Sequence, residues 1–176
     1  MTYLGYKEEL INCFWNLGAV KKGDFTLASG QKSDIYIDAK KILMDRTALM
    51  YICDMIEHIT LREELKVDCV GGPSVGVVPL IGALLMTHHT IRCGFYTRSL
   101  IKDHGTRQLV EGTILGRPLI VEDVITTGNS VSDTIQCCRE IGIEPVGVIC
   151  IVNRGQLMDK FCDIPYFPLL TLGDLI

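Results

Sequence analysis

The sequence predicts an α/β protein whose central, mainly parallel sheet is covered by helices on both faces. Three observations carry that prediction. Short segments that are apolar at consecutive positions, such as "VDCVGG" (67–72), "RPLIVEDV" (117–124) and "EPVGVICIVNR" (144–154), read as strands buried on both sides. These segments alternate with stretches of helical periodicity, which is the pattern of a parallel sheet with crossover helices. Finally, the polar and charged residues Gly72 to Gly76, Arg98, Glu122 to Ser130 and Arg154 fall where the predicted strands end. In such sheets the carboxyl ends of the strands form the ligand-binding rim.

The elements follow in order. Leu10, Ile11, Phe14, Trp15 and Leu17 recur at helical spacing, with Gly18 and Gly23 marking the exit of a first helix. In "FTLASGQKSDIYID", Phe25 and Leu27, then Ile35 and Ile37, alternate around Ser29 and Gly30 as two short strands joined by a turn. Asp45 is an N-cap for a helix through Ala48, Ile52, Met55, Ile56 and Ile59. "VDCVGG" leads through Pro73 and Ser74 into a helix around Pro79 to Met86, "IRCGFYT" is the next strand, and "RPLIVEDV" leads to a helix with Val131, Ile135, Cys138 and Ile141 on one face. "EPVGVICIVNR" is the last long strand. No linker, repeat or low-complexity tract divides the 176 residues, so a single domain is expected over 1–176.

Composition narrows the functional classes. A formal net charge of −4 with no concentrated Lys or Arg lacks the footprint of a nucleic-acid binder. No apolar run approaches the ~20 residues of a membrane span, and "MTYLGYKEEL" lacks the basic and apolar regions of a signal peptide, so the expected location is the cytoplasm. The eight cysteines sit mostly inside apolar periodic segments and form no C-x-x-C pair, which suits buried reduced thiols. His88 and His89 have no ligand-spaced partner and read as surface residues.

The chemistry concentrates in "VEDVITTGNS" (121–130). Gly128 can take positive φ among Thr126, Thr127, Asn129 and Ser130, so that successive N–H groups point at one spot, backed by a helix N-terminus. A phosphate fits there without any lysine. Glu122 and Asp123 immediately before it would repel a bare phosphate, so hydroxyl donors between them are expected. A ribose 5-phosphate supplies both groups. The stretch lacks the Gly-Lys-Ser/Thr of a Walker A loop and the G-x-G-x-x-G of a dinucleotide fold.

"LIVEDVITTGNS" resembles the phosphoribosyl-diphosphate (PRPP) signature of type I phosphoribosyltransferases. "FTLASGQKSDIYID", "GGPSVGVVP", "KDHGTRQLVEG" and "LLTLGDLI", in that order, narrow the resemblance to the orotate phosphoribosyltransferase family, short form. The resemblance implies a type I phosphoribosyltransferase fold with a small N-terminal hood (about 1–40), Mg²⁺-dependent phosphoribosyl transfer from PRPP to orotate, and a homodimer with shared active sites. It implies PRPP contacts from Pro73, Ser74, Val75, Arg98, Ser99, Lys102, His104, Glu122, Asp123, Val124, Ile125, Thr126, Thr127, Gly128, Asn129 and Ser130. Gly72 belongs to the same pyrophosphate loop. Lys102, His104 and Asp123 are the catalytic candidates, and Mg²⁺ would arrive through PRPP with Glu122 and Asp123 nearby. Thr126, Arg154, Tyr36 and Ile37 match orotate-contacting positions. "SLIKDHGTRQLVEGTILG" has little periodicity and suits a loop closing over bound substrate.

The chain departs from the family at Ser99, where Lys is usual, at Leu100, where Glu is frequent, and at Ala28 and Val75–Gly76, where others carry Lys. Two further readings share the PRPP motifs: a transferase acting on another nucleobase, and a PRPP-binding regulator that has lost catalysis.

Overall fold

The structure, a computed structural model, describes residues 1–26, 32–98, 110–155 and 158–176. Helix α1 (Tyr3–Asn16) starts where the Thr2 hydroxyl accepts the Gly5 N–H, and it buries Leu10 and Phe14, four residues apart. Strands β1 (Val20–Thr26) and β2 (Lys32–Ile37) pair antiparallel with Val20 opposite Ile37. Gly23 therefore does not close the helix. It lies inside β1, where the register shifts between Lys22 and Phe25, and the exposed Lys21, Lys22 and Asp24 hide the strand's alternation. Helix α2 (Ala39–Leu43) is too short to show a period in sequence. Helix α3 (Arg46–Arg62) is capped as expected, with the Ala48 N–H donating to Asp45 Oδ1 at 2.9 Å, and it buries Ala48, Ile52, Met55, Ile56 and Ile59.

Strand β3 (Cys69–Pro73), helix α4 (Val78–Thr87), strand β4 (Cys93–Thr97), strand β5 (Val110–Gly112), strand β6 (Pro118–Ile125), helix α5 (Asn129–Glu140) and strand β7 (Gly147–Asn153) follow. Strands β8 (Lys160–Phe161) and β9 (Ile164–Thr171) and a 3-10 turn (Leu172–Asp174) end the chain. The seven-stranded sheet has the order β5-β4-β3-β6-β7-β9-β8. Its inner pairs are parallel, and β5 and β8 are antiparallel edges.

Four sequence expectations differ from the structure. The strand at 147–153 is not the last, because β9 adds parallel to it, with Cys150 opposite Pro168. Pro165 and Pro168 lie within β9, where β8 covers only the start of the strand and a proline on the remaining edge costs no ladder bond. The stretch before 118 contains β5 rather than loop alone. Ile141 is the C-cap of α5 and is exposed, and His88 is half-buried with its Nε2 3.2 Å from Thr60 Oγ1.

Successive residues of β6 point to opposite faces, Val121 into one core and Ile120 into the other. The first core lies under α1, α3 and α4 and takes in Val20, Ile35 and Ile37 of the two-stranded sheet. The second packs Val131, Ile135 and Cys138 of α5 against Ile120, Val148 and Cys150. The parallel order thus reverses between β3, which leads to α4 on one face, and β6, which leads to α5 on the other. That is the switch point at which a crevice opens beyond the strands. All eight cysteines are free, with Cys53, Cys69, Cys138 and Cys150 buried and Cys162 exposed.

Loss of the α3 cap sets a stability expectation. Asp45→Ala should cost about 1 kcal/mol and lower the thermal midpoint by about 2–4 °C, read by circular dichroism melting. An unchanged midpoint would contradict the capping role.

Candidate functional site

Three chain segments converge at the switch point. The first is the turn from β6 into α5. Gly128 has φ +79° and is the residue before the first helical turn, as its place in "TTGNS" predicts. No side chain among the described residues caps α5, and Thr126, Thr127, Asn129 and Ser130 are exposed, so the helix presents its free N–H groups outward. A side chain at residue 128 would strike the ring of Phe161. Phe161, on the late strand β8, therefore packs against the loop from behind. Its role had no sequence signal, because β8 is two residues long.

The second segment is the acid pair. Glu122 is buried and Asp123 half-buried. Each carboxylate accepts a main-chain N–H from the next residue: Asp123 N–H to Glu122 Oε1 at 2.9 Å, and Val124 N–H to Asp123 Oδ1 at 2.7 Å. Burial, and then the negative charge of Asp123, push the Glu122 carboxyl up to about 9. These surroundings favour the protonated form of Glu122. Asp123 Oδ2 faces the third segment, the loop after β3: a Cβ built on Gly76 would stand 2.5 Å from it. Glycine at 76 is what lets the loop approach the carboxylate.

That loop carries Gly72, Pro73, Ser74 and Val75. Its Ser74–Val75 peptide is cis, and the Ser74 N–H donates to the Thr97 carbonyl at 2.7 Å. Val75 is exposed. A hollow of about 380 Å³ lies between this loop and α5; its lining includes Pro73, Ser74, Thr97, Arg98 and Ser130, with Asp133 and Glu140 further along the helix. Arg98 follows β4 at its mouth, with its guanidinium held 3.0 Å from Glu111 Oε1 on β5, a partner that sequence reading missed. Arg154 continues β7; its N–H donates to the Ile125 carbonyl at 2.8 Å, and its guanidinium donates to the Ile35 carbonyl of β2 at 3.2 Å.

Arg154 thereby brings the base-side candidates to the rim. Tyr36 is exposed and packs on Phe25, with ring centroids 5.5 Å apart, whereas the neighbouring Ile37 side chain points into the core. Adjacent strand residues face opposite sides, so Ile37 can offer a ligand only its main chain. Ser99, Leu100, Lys102, His104 and Ala28 lie outside the described residues. Among the described residues no group of three His, Cys, Asp or Glu could hold a metal ion. The hard oxygen of Asp123 suits Mg²⁺ only where the ion brings most of its ligands with it, as phosphate-bound Mg²⁺ does.

A parallel sheet that carries at its switch point an acid pair followed by a glycine-centred loop at an uncapped helix N-terminus defines a type I phosphoribosyltransferase fold. No family model matches the chain. It is 36% identical over 174 residues to the orotate phosphoribosyltransferase of Pyrococcus abyssi, covering 96% of this chain and 94% of that one. It is 38% identical over 177 residues to that of Methanosarcina mazei, covering 97% and 91%. The Mycobacterium tuberculosis orotate phosphoribosyltransferase superposes with a TM-score of 0.80 at 30% identity, covering 97% of this chain and 98% of that one. A second structure of that protein, in complex with PRPP, gives 0.77 at 26% with the same coverage. The chain belongs to the orotate phosphoribosyltransferase family.

The buried acid predicts a pH dependence. Because the Glu122 pKa is raised in the folded state, the folded chain binds more protons than the unfolded one between about 4.5 and about 9. The contribution is fully present below the unfolded pKa and is lost as pH rises through the folded one. Glu122→Gln should flatten the decline of unfolding free energy across that window in urea titrations. A decline identical to that of the natural chain would contradict the assignment.

Proposed function

We propose that the chain transfers the 5-phosphoribosyl group of PRPP to N1 of orotate, forming orotidine 5′-monophosphate and releasing pyrophosphate, as a step of de novo UMP synthesis. The observation that carries this reading is the pairing of an open α5 N-terminus at Gly128 with Glu122 and Asp123, all at the switch point. The 126–130 loop takes the 5-phosphate through Thr126, Thr127, Gly128, Asn129 and Ser130, with Val124 and Ile125 leading into it. The ribose hydroxyls donate to the acid pair of Glu122 and Asp123.

The C1′–oxygen bond to pyrophosphate breaks as the N1–C1′ bond forms, so positive charge grows on the ribose and negative charge on the leaving group. The loop of Pro73, Ser74 and Val75, through the main-chain N–H of Val75, and the cations Arg98, Lys102 and His104 meet the latter, with Ser99 beside them. Arg98 must exchange Glu111 for the pyrophosphate as it does so. Mg²⁺, when bound, supplies Lewis-acid neutralisation of the pyrophosphate. Arg154 pairs its planar fork with the orotate carboxylate, and Thr126, Tyr36 and the Ile37 main chain complete the base pocket.

The whole of 1–176 is read as one domain, with about 1–40 as the hood. A homodimer is supported by an apolar groove beside α3 and α4, where Met44 and Met50 are exposed. Cytoplasmic location is supported by eight free cysteines; no helix among the described residues is long and apolar enough to cross a membrane.

The test is to incubate the purified protein with PRPP, Mg²⁺ and orotate and follow the loss of orotate absorbance. Turnover that stops on chelation and returns with added Mg²⁺ is expected. Turnover with uracil or a purine instead would replace the acceptor, and PRPP binding with no acceptor consumed would favour a regulator. Lys102→Ala should lower kcat by about a hundredfold or more while changing PRPP affinity much less; an unchanged kcat would refute its role.

A further inference from the structure

Two buried threonines that no motif singles out lie between the two anion-binding segments. Thr97, the last residue of β4, is 6% exposed, and Thr134, one turn into α5, is fully buried. Their hydroxyl oxygens are 2.6 Å apart. Thr134 also donates to the carbonyl of Ser130 at 2.9 Å. A hydroxyl has one proton, so Thr134 spends its own on Ser130 and must accept from Thr97. Thr97 in turn holds the pyrophosphate-side loop, since its carbonyl accepts the Ser74 N–H at 2.7 Å, and Arg98 follows it directly. The result is one directed chain of hydrogen bonds running from Ser74 through Thr97 and Thr134 to Ser130.

A threonine bonded only to the carbonyl four residues back is ordinary in a helix. Here the same oxygen receives a second, buried bond from a different element, across a separation of 37 residues. One end of the chain is the main chain that meets the leaving pyrophosphate, and the other is the first turn of the helix that meets the 5-phosphate. We infer that Thr97 and Thr134 are positioning residues that fix the spacing of these two anion sites, so that one PRPP molecule spans them without the protein adjusting. The inference rests on the proposed PRPP chemistry.

The proton count makes the pair asymmetric. Thr134→Val orphans the buried Thr97 proton, whereas Thr97→Val leaves the Thr134 proton on Ser130; the first variant should therefore melt lower than the second. Removing both hydroxyls at once leaves no buried donor without an acceptor, so Thr97→Val/Thr134→Val should melt close to the natural chain. Stability and positioning then separate.

The experiment measures PRPP affinity by calorimetry, thermal midpoints, and KM for PRPP and orotate in the natural chain, both single variants, the double valine and Thr134→Ser. The double valine should be stable yet bind PRPP roughly fivefold more weakly, the scale of one hydrogen bond, with KM for orotate little changed. Thr134→Ser, which keeps the hydroxyl, should restore PRPP affinity. A stable double valine with natural PRPP affinity would overturn the inference while leaving the proposed function intact. A natural chain that binds no PRPP would overturn both.

Discussion

The site depends on the parallel pairing of β6 with β3 on one side and β7 on the other. β3 and β6 stay in register only as far as Gly71 and Ile120, while β6 and β7 remain paired to Ile125 and Asn153. The edge of β6 facing β3 therefore runs on unpaired beyond Ile120, which frees Glu122 and Asp123 at the mouth of the crevice. The helices after β3 and β6 lie on opposite faces, so neither closes it. Everything that binds is hung on that divergence: the loop with Gly76 on one lip, Gly128 and α5 on the other, Arg154 at the far end.

Within the crevice the protein's polar groups are occupied in ways a ligand can take over. Arg98 rests on Glu111, and Arg154 donates to the Ile35 carbonyl of β2. The first N–H groups of α5, by contrast, have no side-chain cap among the described residues. An anion arriving at that terminus gains backbone donors already aligned, with no cation to desolvate. Burial beside Asp123 favours the protonated form of Glu122, which lessens repulsion within the acid pair.

Local signals made much of this legible in sequence. The Asp45 cap, the continuous apolar strands and the glycine before α5 all declare themselves within a few residues, and the structure has each in place. What escaped reading is non-local or irregular. β9 was not read as a strand, and β5 and α2 are too short to carry a period. In the site, Glu111, Phe161, Thr97 and Thr134 lack any motif, since each matters through a partner that the fold brings from at least ten residues away. Ile37 shows the reverse case: adjacency to Tyr36 suggested a shared pocket, but strand alternation turns its side chain into the core.

The central claim is that one rim holds two separate anion sites, one at Gly128 and one at Ser74, bridged by the acid pair. The most direct measurement is amide chemical-shift mapping by NMR with two probes, ribose 5-phosphate and pyrophosphate, added separately. Ribose 5-phosphate is expected to move the Gly128, Asn129 and Ser130 amides, and pyrophosphate those of Ser74, Val75 and Gly76. Both probes moving the same amides, or ribose 5-phosphate leaving Gly128 unmoved, would contradict it.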